Sequence, residues 1–145
     1  MNKCQFVFLL LMFSSFTFAQ DSSKISFIID KAQTSWLFGN SKISNLNKRE
    51  FNQLEKLIQA KIDERNKIVN KKNSINSDEY FRQYIVVENE KGEKEVWVNF
   101  LCEIDQKDKW KTDVIMVSDG GKCYFNIAIN LTKKQVKNFI VNGHA

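Results

Sequence analysis

An α+β domain, one long amphipathic helix packed on a curved antiparallel sheet of four to five strands, is predicted by three features of this 145-residue sequence. Residues 47 to about 71 place apolar side chains at three- and four-residue intervals, the period of a helix that buries one face. From Glu79 onward the period falls to two, as in strands with one side on a core. Finally, Gly120-Gly121 separates two strand-like runs within 114–131, and glycine tolerates the positive φ that a two-residue hairpin turn requires.

The chain begins with the layout of a secretory signal over residues 1–19: Lys3, an apolar run from Phe6 to Phe18, and small residues at Thr17 and Ala19 before Gln20. That run is shorter than the roughly 20 apolar residues that span a bilayer, so an exported protein without stable membrane insertion is expected, periplasmic or extracellular. The remaining residues, 20–145, are expected to fold as one unit. Within it, 20–46 supplies an N-terminal strand and an irregular segment, and 47–145 a single α+β domain.

The formal charge is +5, from 22 basic and 17 acidic residues; without Lys3 it is 21 against 17, or +4. Basic and acidic residues interleave, as in 88–95, rather than forming the basic stripe of a nucleic-acid binder, so nucleic acid is not an expected partner. Export also bears on the cysteines. Cys4 leaves with the signal, and Cys102 and Cys123 remain in a compartment where disulfides persist. Bonded cysteines need Cα atoms within about 7 Å, whereas strands on either side of a third lie roughly 9.6 Å apart. The bond therefore requires the Cys102 strand to lie beside the Cys123 strand, or the chain to curl; free thiols are the remaining alternative.

Taken in order, Lys24 to Asp30 reads as a strand with Ile25, Phe27 and Ile29 on one side and Ser26 and Ile28 on the other. The cluster Trp36-Leu37-Phe38-Gly39 and the polar residues after it read as a turn or irregular approach, with Trp36 and Phe38 as a plug on the core. In the long helix, Phe51, Leu54, Leu57, Ile58, Ile62, Ile68 and Val69 form the buried stripe. Asn47 and Glu50 match a capping box, and Lys67, Lys71 and Lys72 suit the negative end of the helix dipole.

Tyr80 to Val87 and Glu95 to Ile104 then form a hairpin around Lys91-Gly92, the second arm burying Val96, Val98, Phe100, Cys102 and Ile104. After a charged loop at 105–111 comes the Gly-Gly hairpin, whose second arm buries Cys123, Phe125, Ile127, Ile129 and Leu131. Gln135 to Val141 is either an edge strand or a helical turn capped by Thr132.

Candidate chemistry is sparse. Glu103, Asp105, Asp108, Asp113 and Asp119 cluster in sequence, but Lys107 and Lys109 stand where a calcium loop places oxygen ligands. His144, next to the last residue, has no identifiable nucleophile or orienting partner. No catalytic group, metal or cofactor is therefore assigned. The materials of a contact surface are Tyr80, Arg82, Tyr84, Trp97 and Tyr124, aromatics and an arginine placed along the strands.

In outline, the helix at 47 followed by antiparallel strands to 141 resembles the cystatin-type arrangement. The inhibitor family's Gln-x-Val-x-Gly turn is not matched, since Gln83-Tyr84-Ile85-Val86-Val87 ends in valine and lies in a strand. The resemblance thus implies a fold outline and no protease inhibition. The sequence favours a small exported binding or interaction protein whose partner is an envelope or extracellular protein or a glycan. A ligand carrier or enzyme using a helix–sheet concavity, and a structural envelope component, are the alternatives.

Overall fold

The computed structural model describes residues 22–105 and 109–143; the expected signal at 1–19, Asp108 and His144 lie outside them. The fold is α+β, with two helices and a mixed rather than wholly antiparallel sheet. In chain order the elements are β1 (Ile25–Phe27), α1 (Lys31–Phe38), β2 (Lys42–Ile43), α2 (Lys48–Asn66), β3 (Phe81–Glu88), β4 (Lys94–Leu101), β5 (Tyr124–Asn130) and β6 (Gln135–Val141). The sheet runs β1-β3-β4-β5-β6, and β2 pairs with the Val87–Glu88 end of β3, beyond β1 and on the same side. The exception to antiparallel pairing is β1, which lies parallel to β3 with Ile25 beside Arg82 and Phe27 beside Tyr84.

α2 forms where its period and cap place it. The Asn47 carboxamide oxygen accepts from the Glu50 N–H and the Glu50 carboxylate accepts from the Asn47 N–H, each at 2.9 Å, so two otherwise unpaired amides are satisfied reciprocally. The helix stops at Asn66, short of the expected end, because Asn66 turns from helix to loop duty: its side chain bonds both backbone groups of Ile75. Ile68 therefore leaves the buried stripe and is 84% exposed. Leu54, Ile58 and Ile62 pack on one sheet face with Tyr84, Val98, Phe100, Phe125 and Ile127. Here the Phe100 and Phe125 rings stack at 4.1 Å with 9° between their planes.

α1 was not expected. Asp30 caps it by accepting from the Ala32 N–H at 2.8 Å, and Gly39 at φ 56° ends it. The helix packs on the other sheet face, where Leu37 and Phe38 meet Ile28, Ile85, Val87 and Trp97. The alternation along β1 sorts its sides as Ser26 and Ile28, which are buried, and Phe27 and Ile29, which are exposed.

The largest correction falls on the Gly-Gly hairpin. Residues 114–117 form no strand; β5 pairs with β4 on one side and with β6 on the other. The backbone of the covering segment is satisfied by amide side chains instead of a ladder. Gln83 donates to the carbonyls of Trp110 and Asp113, both at 2.6 Å, and accepts from the Ile115 N–H at 3.0 Å and the Asn99 amide at 3.1 Å. Gln33 accepts from the Val114 N–H at 2.8 Å, and Asn142 donates to the Val117 carbonyl at 2.6 Å. The glycines keep their conformational role, with φ 86° at Gly120 and 58° at Gly121, but they open a short 3-10 turn, Gly121–Cys123, that leads into β5.

Because no strand intervenes, the ends of β4 and β5 are neighbours. Cys102 and Cys123 are disulfide-bonded, with Cα atoms 5.0 Å apart, and the Cys102 N–H donates to the Cys123 carbonyl at 2.9 Å. The bond closes a loop with a sequence separation of 21. Loop-closure entropy for such a span sets the expected loss on Cys102→Ser/Cys123→Ser at about 3 kcal/mol. Urea unfolding of the double variant checks this; an unchanged midpoint would mean that the bond adds nothing to the fold.

Candidate recognition groove on the second sheet face

The face turned away from α2 is built of cross-strand rows fixed by the register. One row is Ile85, Trp97, Ala128 and Asn138; the next is Gln83, Asn99, Asn126 and Ile140; and toward the β3–β4 turn lies Val87, Glu95, Asn130 and Gln135. The β3–β4 half is covered by α1 and by the segment tied to Gln83. No described residue covers the β5–β6 half in this way: Asn126 and Ala128 are half-buried, Asn138 is exposed and Ile140 is 46% exposed.

α1 presents Trp36 at the border of this open half. Its ring is 55% exposed and meets Trp97 edge-on, centroids 6.2 Å apart and planes at 78°. Trp97 donates through Nε1 to the Asn126 carboxamide oxygen at 3.3 Å. That bond orients the Asn126 amide and leaves its N–H groups without a partner among the described residues.

One step along the sheet, a groove of about 580 Å3 runs between the turn after α1 and β6, lined by Phe38, Ser41, Asn89, Glu95, Asn130, Gln135 and Lys137 among others. Its charges are matched. Lys133 lies 2.7 Å from Glu93, and Lys137 lies 3.2 Å from Glu95. The Lys133 ammonium first, then the Asn130 amide, hold the Glu93 carboxyl down at about 2. Lys137 reaches Glu95 because β6 bulges: Ala128 faces Asn138 and Ile129 faces Val136, so Lys137 has no ladder partner.

The five residues expected to share a contact surface are distributed otherwise. Tyr80, Arg82, Tyr84 and Trp97 are buried, and Tyr124 is half-buried. Arg82 pairs with Glu55 of α2 and donates to the Ser77 carbonyl at 2.8 Å. Tyr84 donates to Glu55 at 2.9 Å, and burial pushes its phenol pKa up, keeping it a neutral donor. Tyr80 donates to the Lys122 carbonyl at 2.8 Å. These three lie under α2, on the face opposite Trp97, because alternate residues of one strand share a face whichever face that is. Two-sided burial of β3 removes the polarity contrast that distinguishes inward from outward.

Trp36 is the member that sequence reasoning placed in a plug. Asp30 before it and Gly39 after it were the available helix signals. Among the described residues, the metal-type donors that converge are Cys102, Glu103 and Cys123, and the disulfide consumes both sulfurs. Asp113 instead accepts from the Thr112 hydroxyl at 3.0 Å and the Gln33 amide at 3.4 Å. No helix among the described residues is long and apolar enough to cross a membrane. No known protein family, curated protein or solved structure matches this chain.

Proposed function

We propose that this protein is a small exported binding protein that takes its partner on the open β5–β6 half of the second sheet face. The observation that carries the reading is Trp36, an exposed indole braced edge-on by a buried one beside uncovered strands. Exposed aromatic anchors of this kind concentrate binding energy. Export is supported by the layout of residues 1–19 and is compatible with the disulfide. A carrier or enzyme working between helix and sheet has less to rest on, since Leu54, Ile58 and Ile62 fill that interface.

The test uses residues 20–145 as bait in envelope and culture-fluid extracts, beside Trp36→Ala. Truncating a central anchor is expected to weaken capture of the partner by about 30-fold while the melting curve stays in place. Equal capture by both baits, or capture by neither, would sink the reading.

A further inference from the structure

Resting on that binding reading, we infer that the ligand is a neutral oligosaccharide chain, seated in the groove between the turn after α1 and β6 and continuing onto Trp36. Charge is the first argument. The groove lining and its paired neighbours carry three acids, Glu90, Glu93 and Glu95, against three bases, Lys91, Lys133 and Lys137, and two of the three pairs are direct ion pairs. A balanced lining offers no field to draw in a polyanion or a polycation.

The second argument is the lining's hydrogen-bonding chemistry. Gln135, Asn138 and Asn126 belong to three successive cross-strand rows of this face, whereas Asn130, beside Gln135, is spent on Glu93 and the Lys133 N–H. A carboxamide carries both donors and acceptors, which is what a hydroxyl, itself donor and acceptor, requires. Successive rows on one face are about 7 Å apart along a strand, so these amides form a repeated array rather than a single polar spot. An indole at the border supplies a flat apolar surface for the C–H face of a sugar ring, and ligand sites combine such a surface with a few convergent polar groups.

A peptide added as a further strand fits less well. The β6 edge bulges at Lys137, which interrupts the regular spacing that strand addition needs.

The experiment titrates the mature protein with four soluble probes, cellohexaose, chitohexaose, xylohexaose and maltohexaose, read by calorimetry and tryptophan emission. At least one is expected to bind tighter than about 1 mM, with an affinity that barely changes with salt. Trp36→Ala and, separately, Gln135→Ala/Asn138→Ala are each expected to weaken that affinity by about tenfold or more. All three positions are exposed, so the fold survives the changes. Binding weaker than about 10 mM for every probe, or binding indifferent to both variants, overturns the inference. If the sugars fail while Trp36-dependent capture of a protein partner persists, the glycan class falls and the binding reading stands. If capture fails as well, both fall.

Discussion

Gln83→Leu is expected to cost about 4 kcal/mol, because each buried polar group stripped of its partner forfeits roughly 1–3 kcal/mol and water repairs part of the loss. Leucine fills similar space, so the effect isolates hydrogen bonding from packing. Gln83 is fully buried and spends its whole bonding capacity: two N–H groups on Trp110 and Asp113, and an oxygen shared by Ile115 and Asn99. Removing it leaves two carbonyls and one backbone N–H without a partner in the segment that covers half of the second face. Two signatures should accompany the lower urea midpoint: faster tryptic cleavage at Lys109 and Lys111, and redder tryptophan emission as Trp110 is uncovered. A midpoint unchanged within error, with the segment still protected, would show that the amide is not the clamp.

Phe100→Ala is expected to be of the same size, about 4 kcal/mol, through a different mechanism, loss of transfer energy plus a cavity. Phe100 has no exposed surface, stacks on Phe125, receives the edge of Tyr80 at 6.2 Å, and carries the Arg82 guanidinium carbon 5.3 Å above its ring. Domain stabilities of about 5–15 kcal/mol make such a loss a large share of the total. Phe139, half-buried on β6, provides the contrast. If Phe139→Ala proves more damaging than Phe100→Ala in denaturant unfolding, the centre of the core has been placed wrongly.

The contrast between these two positions explains what the sequence could reveal. α2, β3, β4 and β5 were legible because amphipathic period and capping chemistry are local, and Asn47 with Glu50 is a cap that two residues write by themselves. Phe100, Phe125 and Ile127 announced the first core in the same way. The second core did not announce itself. It is closed by Gln83 and Asn99, which look like outward polar positions until a distant segment arrives to use them, and by Ile28 and Trp97, which meet across the chain.

The recognition groove was invisible for a related reason. Trp36 acquires its exposed setting from an eight-residue helix lying beside strands nearly a hundred residues later. The buried set that included Tyr84 and Arg82 had the right chemistry for a surface, but α2 covers it. Glu55 shows how: it sits at the edge of the apolar stripe, where the sequence reads it as part of the wet face, yet it reaches down to Arg82 and Tyr84.

The parallel seat of β1 against Arg82–Tyr84 imposes a chronology on folding. This segment leaves the ribosome, and any export channel, before the rest of the domain, yet the strand it joins is made more than fifty residues later. The β3–β4–β5–β6 meander can close from sequential contacts, whereas docking of β1 and α1 closes a longer loop, so later docking of that segment is the expected order. Until then Ile85, Val87 and Trp97 are a bare apolar face.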